Sequence, residues 1–252
     1  MENNRYVVVF ILILTAAVAV MLTGLREVTK SQAEINEDIF NKRAILKAVE
    51  NHLDDGKKVD DLSDDDVLKI FEEKVEQVAI DREGNVLEGV LAEDIDMKKE
   101  RKKSAEEQQL PLFVYNQSGS TFYILSIRGN GLWDEIWGNV ALESDLNTVT
   151  GASFDHQAET PGLGAEIKDN PSFPARFEGK KIYNNSGEYV SITVKKGGAE
   201  DGNPHQVDGI TGATVTADGV SRMLYEGIKN YQPYLESLKG KEKPSVQGML
   251  VE

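Results

Sequence analysis

LPLFVYNQSGSTFYILSI, residues 110–127, is two apolar runs around a polar turn. Leu112 to Tyr115 and Thr121 to Ile127 are rich in aromatic and branched side chains, which fit a pleated, half-buried surface. Asn116-Gln117-Ser118-Gly119-Ser120 between them has turn composition. Further on, Asn139 to Leu142 and Thr148 to Phe154 flank Glu143-Ser144-Asp145-Leu146-Asn147, a second hairpin. Tyr189 to Val194 alternates again before Lys195-Lys196-Gly197-Gly198. Consecutive hairpins predict an antiparallel sheet, and helical periodicity lies on either side of it. The expected fold class is α+β: an antiparallel sheet with flanking helices, preceded by one N-terminal transmembrane helix.

Beyond the strands comes Asp208-Gly209-Ile210-Thr211-Gly212-Ala213-Thr214-Val215-Thr216. Val220, Met223, Leu224, Ile228 and Tyr231 then mark one face of a helix. Gly212 permits a tight turn, and Ala213 keeps the surface low for a bulky group. Free N–H groups at a helix start favour an anion, and phosphates commonly sit there. Hydroxyl nucleophiles beside a phosphate-friendly turn are one reading; a Thr-rich turn that only caps the helix is the other. Glu159-Thr160-Pro161-Gly162-Leu163-Gly164 is a second irregular stretch, in which Pro161 fixes the backbone and the glycines allow positive φ or close approach. Gly131-Leu132-Trp133, with Trp137 four residues on, is a third, and the spacing lets both tryptophans share one side of a helical turn. For Trp137 a plain core role is expected, and for His156 that of a hydrogen-bonding loop histidine.

The stretch Asp208 to Thr214 resembles the D-G-x-[ST]-G-A-T flavinylation motif of FMN-binding domains in respiratory membrane complexes, and Glu159 to Gly164 resembles their E-T-P-G-L-G loop. The resemblance implies FMN joined by a flavin transferase through a phosphoester to Thr214, with Thr216 the near competitor. It implies cofactor contacts from Asp208, Thr211, Gly212, Ala213 and Thr216. In the second loop it implies contacts from Glu159, Thr160, Pro161, Gly162, Leu163 and Gly164, with Leu163 packed on the ring. Gly131-Leu132-Trp133 is similar to a segment of the C subunits of the Na⁺-translocating NADH:quinone oxidoreductases, adding Leu132 and Trp133. The G subunits of the Rnf-type complexes share the anchor and the other two motifs, but the G-L-W segment and the long insert before the sheet favour the quinone-reductase family. Membership implies a relay of electrons between partner subunits bearing FMN or riboflavin, iron–sulfur centres and the NADH-oxidising flavin. A membrane-tethered extracytoplasmic module that binds a free anion is the alternative of another class.

Towards the N-terminus, Tyr6 to Leu25 (YVVVFILILTAAVAVMLTGL) has no charge. Twenty residues at ~1.5 Å each reach ~30 Å, a bilayer core. Ala17-Val18-Ala19 resembles a signal-peptidase site but lies inside the apolar run, so an uncleaved anchor is expected. Arg5 before the run and Arg26 and Lys30 after it barely set orientation; with so short a preceding stub, the main domain is expected on the periplasmic side of a bacterial inner membrane. Ile35, Ile39, Ile45, Leu46, Val49 and Leu53 predict a further helix ended by Gly56. Ser63 then caps a helix with a core face of Val67, Ile70, Phe71, Val75 and Val78. The aspartates after Ser63 lack EF-hand spacing. MKKERKKSAEEQQ, 97–109, reads as a solvated helix or loop.

The chain thus divides into a stub and anchor (1–25), a helical and charged segment (26–109), an FMN-binding domain (110–231) and a surface-docked or frayed tail (232–252). Its 252 residues carry a net charge of −15, which argues against a nucleic-acid partner and tight charge-driven adhesion to anionic lipid; Lys98 to Lys103 offer a basic lipid-touching patch that Glu106 and Glu107 weaken. With no cysteine, disulfides, thiol catalysis and an iron–sulfur centre of its own are excluded. His52, His156 and His205 are too scattered for a zinc pattern, and there is no Gly-x-Gly-x-x-Gly fingerprint for NADH.

Overall fold

The computed structural model describes residues 2–239. The chain forms two compact units, one up to Lys42 and one from Arg43 onward. The first is helical: α1 (Glu2–Lys47) is long and apolar enough to cross a membrane, and Tyr6 to Leu25 are exposed along it.

Where the sequence predicts a helix ended by Gly56, the helical run instead stops at Lys47. Three 3₁₀ turns follow, Glu50–His52, Asp54–Gly56 and Val59–Asp61. Burial explains the change. Leu46, Val49, Leu53, Val59 and Leu62 are all inside, and a coil of short turns buries side chains at spacings that one helix face could not. Arg43 fastens the coil, donating to the carbonyls of Val59 and Leu62 at 2.8 Å each. Helix α2 (Asp64–Lys74) begins as expected, with Ser63 Oγ accepting from the Asp66 amide at 3.1 Å.

Val75 and Val78 do not continue α2. They belong to strand β1 (Val75–Asp81), antiparallel to β2 (Gln109–Gln117). Their spacing suits a helix, but pairing with β2 across seven residues outweighs that weak local preference. Strands β3 (Ser120–Asn130), β4 (Glu135–Leu142) and β5 (Val149–His156) complete a five-stranded sheet in the order β1-β2-β3-β4-β5, every neighbour antiparallel. The antiparallel sheet and the α+β class are therefore as read from the sequence.

Both faces of the sheet are covered. Leu112, Val114, Leu125 and Ile127 enter one core; Phe113, Tyr115, Phe122 and Ile124 enter the other, against Leu46, Val59, Val67 and Phe71. Two covered faces explain why β2 reads as a continuous apolar run. The charged segment 97–109 contributes α3 (Met97–Glu100), where Glu100 is buried and accepts from the Gln109 amide at 2.9 Å.

After β5 come two short helices, α4 (Glu166–Asp169) and α5 (Ser172–Ala175), whose Phe173 meets Phe154 and Phe177 at ring distances of 5.6 and 5.5 Å. The expected antiparallel strand at 189–194 is shorter and differently paired. Strand β6 (Thr193–Lys195) runs parallel to β7 (Gln206–Asp208) in a separate two-stranded sheet. Ser191, just before it, has φ of +59°, which breaks an extended run. Helix α6 (Thr214–Lys229) lies on β3 and buries Val220, Met223, Leu224 and Ile228. Tyr231 follows, its hydroxyl 2.8 and 2.7 Å from the carbonyls of Pro111 and Ser126. Helix α7 (Gln232–Lys239) docks the start of the tail through buried Leu235; residues 240–252 lie outside the described ones.

Candidate functional site

The three irregular stretches of the sequence meet at the start of α6. Residues 131–134 are the turn of the β3–β4 hairpin, closed by Gly131 N–H donating to Asp134 O at 2.8 Å. Trp133 therefore lies in that turn and Trp137 on β4, half-buried, so the two do not share a helical face. Their four-residue spacing has no helix to act through, because the hairpin register pairs Trp137 with Arg128. The Arg128 guanidinium sits 4.7 Å from the Trp137 ring centre.

Glu159 holds the stretches together. It is only 5% exposed. Its Oε1 accepts from the amides of Leu132 and Trp133, at 2.8 and 3.0 Å. Its Oε2 accepts from Thr216 Oγ1 at 2.7 Å. Next to it, Thr160 Oγ1 accepts from Trp133 Nε1 at 3.1 Å. One buried carboxylate thus takes three donors from two other segments, which satisfies its charge without a cation. A side chain at Gly164 would run into this carboxylate and the Thr216 hydroxyl, so glycine is dictated there by space. His156 is not in a loop: it is the last residue of β5, paired with Ile136, and its Nδ1 accepts from the Glu159 amide at 3.2 Å.

The second loop turns at Gly162, φ +75°, and closes with Leu163 and Ala165 amides donating to Thr160 O at 3.1 Å each. Pro161 and Gly162 are exposed at its tip. Gly212 has φ +80°, and a Cβ on it would stand 2.7 Å from Leu163 Cδ2, so the two loops lie against each other.

The start of α6 is open. Its N-cap, Ala213, has no side chain to cap it, and no acidic residue stands in the first turn. Helix α2, by contrast, is closed by the Ser63 hydroxyl and carries three aspartates in its first turn. An uncapped first turn presents unpaired N–H groups and the positive end of the dipole. Thr214 is partly exposed on that turn, and among the described residues its hydroxyl has no hydrogen-bond partner; Thr211 is exposed and likewise unpaired. Thr216 is buried and committed to Glu159. The Thr-rich turn therefore does not cap the helix. Leu132, Trp133, Leu163 and Val215 are exposed apolar side chains on the same three stretches.

Asp208 does something else. Its Oδ1 accepts from the Ala199 amide at 2.7 Å, bracing the turn after β6. The carbonyls of Asp208 and Gly209 accept from Arg176 Nη1 at 2.8 and 3.1 Å, and the Gly209 amide donates to Lys195 O at 2.8 Å. Arg176 thus sets the entry to the motif. Nothing in its local sequence marks it, because its partners are backbone oxygens more than thirty residues away.

Residues 131–229 match the family described as FMN-binding domain. The chain is 32% identical to the C subunit of the Na(+)-translocating NADH-quinone reductase of Vibrio campbellii, over 91% of this chain and 89% of that one. It is 34% identical to the corresponding protein of Vibrio alginolyticus, over 92% and 90%. The crystal structure of the corresponding protein from Parabacteroides distasonis superposes with a TM-score of 0.71 at 36% identity, covering 82% of this chain and 96% of the other. With sequence and fold alike across most of its length, the chain belongs to the family formed by the C subunits of the Na⁺-translocating NADH-quinone reductases.

Proposed function

We propose that the chain is the FMN-carrying electron-transfer component of a Na⁺-translocating NADH-quinone reductase, with the FMN phosphate esterified to Thr214. The observation that carries the attachment point is the contrast between Thr214, free on an open helix start, and Thr216, buried and bonded to Glu159. The residues present fit the cofactor. The first turn of α6 offers unpaired amides to the phosphate, with Thr211, Gly212 and Ala213 forming the low approach to it. Leu132, Trp133 and Leu163 offer apolar surface to a planar ring. Glu159, Thr160, Pro161, Gly162 and Gly164 set the loops that carry them, as Asp208 and Arg176 do on the other side.

When bound, FMN supplies reversible electron transfer, and the protein supplies position and electrostatics. The phosphoester keeps it in place without touching the ring. A chain with no cysteine and no dinucleotide fingerprint exchanges electrons through its partners: the membrane proteins bearing iron–sulfur centres, a second flavin-bearing membrane protein, and the NADH-oxidising flavoprotein. A flavin transferase makes the ester during maturation. Helix α1 anchors the chain in the bacterial cytoplasmic membrane, with the domain on the extracytoplasmic side.

The test is peptide mass spectrometry of the chain from its native host, with the complex active. The peptide containing Thr214 carries the mass of an FMN phosphoester, and fluorescence survives a denaturing gel. An unmodified peptide in active complex overturns the proposal.

A further inference from the structure

Farther along α6, away from Thr214, lies a second surface suited to anions. A cleft of about 670 Å³ opens between α6 and β3, walled by α3 and the turn after it. In a chain of net charge −15, this cleft is lined by five cations, Arg82, Arg101, Arg128, Arg222 and Lys229, against two carboxylates. One of these, Glu100, is already engaged by Lys103 at 2.7 Å and by the Gln109 amide.

The cations are held mostly by neutral groups. Arg101 donates to Gly129 O and Asn130 Oδ1 at 3.3 Å, and Arg82 to Gln108 Oε1 at 2.9 Å. Lys229 lies 5.9 Å from the Tyr225 ring centre. Arg128 stacks on Trp137, and its Nε is buried without a hydrogen bond. Its ion pair is with Glu135 at 3.4 Å, a carboxylate that Lys98 and Arg101 also share. Among the described residues, Arg222 has no partner at all. Positive charge is thus assembled and oriented here, and left in excess.

We propose that this cleft binds a small phosphorylated ligand carrying two or more negative charges. Guanidinium forks match phosphate oxygens in pairs. Met97, only partly buried in the lining, gives the organic part of such a ligand apolar contact. The volume lies within the ~300–1,000 Å³ typical of small-molecule sites. Arg222 stands eight residues after Thr214 on α6, about 12 Å along the axis at ~1.5 Å per residue. None of the residues lining the cleft belongs to the three stretches that receive FMN in the proposed function.

Calorimetry on the full chain in detergent, carrying its native flavin, tests this with pyrophosphate as the probe and glycerophosphoglycerol as a monoanionic lipid-headgroup mimic. Pyrophosphate saturates one site and binds more tightly than the headgroup, and salt weakens it. Arg222→Gln, on an exposed side chain without a partner among the described residues, lowers affinity about tenfold, the worth of one charged hydrogen bond. Arg128→Gln lowers it similarly, and Lys196→Gln, outside the cleft, leaves it unchanged. No saturable binding, equal loss in Lys196→Gln, unaltered affinity in Arg222→Gln, or preference for the headgroup mimic each overturns the proposal.

Discussion

Thr216 and Glu159, fifty-seven positions apart, share a buried hydrogen bond of 2.7 Å, and the other oxygen of the same carboxylate holds the Leu132 and Trp133 amides. Glu159→Ala strands three donors in a dry place, where each unsatisfied group costs ~1–3 kcal/mol. We expect a loss of about 3 kcal/mol by equilibrium urea unfolding, and poor flavin incorporation. Glu159→Gln keeps one oxygen for the two amides and an amide group that the Thr216 hydroxyl can accept from. It should lose only ~1 kcal/mol. Equal losses from the two variants would show that the carboxylate fills space without organising the loops.

The two threonines should separate cleanly. Thr214→Val removes the covalent flavin, read by in-gel fluorescence, with stability within ~0.5 kcal/mol of the parent, as for other surface changes. Thr216→Val keeps the flavin attached but costs ~1–3 kcal/mol, because Glu159 loses a buried donor. Fluorescence retained in Thr214→Val and lost in Thr216→Val reverses the assignment.

Gly212 turns at φ +80°, a region that costs an L-residue roughly 1–2 kcal/mol, and a Cβ there meets Leu163. Gly212→Ala should therefore destabilise by about that amount and reduce the flavinylated fraction in the native host. Leu163→Ala relieves the contact but not the backbone strain, so the double variant recovers only part of the loss. Full recovery would place the whole effect in the side-chain contact.

Burial, reinforced by the Asp54 charge, pushes the Tyr115 phenol up to about 12 from 10.0. The folded state holds its proton more tightly than the unfolded chain does. Its stabilisation is complete below pH 10 and is lost as pH rises from 10 through 12. Thermal unfolding at about pH 9 and pH 11, on either side of the unfolded phenol's pKa, should show a smaller fall for Tyr115→Phe than for the parent. An identical fall in both would remove Tyr115 as the cause.

What the sequence determined by itself was whatever depends on neighbours along the chain. A hairpin turn within 116–120, which tightens to Ser118-Gly119, another at 143–147, the Ser63 cap, the amphipathic face of α6 and the apolar run from Tyr6 all follow from local chemistry and period. So did the membership of Thr214, Leu163 and Trp133 in short motifs that fall together at one end of the sheet.

Only the tertiary structure decided the rest, since those choices rest on partners distant in sequence. Val75 to Asp81 became a strand because β2 offers a whole edge to pair with. The segment after Lys47 broke into turns because a sheet face had to be covered. Thr214 and Thr216 are chemically alike and two residues apart. Burial and the reach of Glu159 commit one hydroxyl and leave the other free. Arg176 and the basic cleft were invisible for the same reason: contacts across folded chain create them, and no period or motif records such contacts.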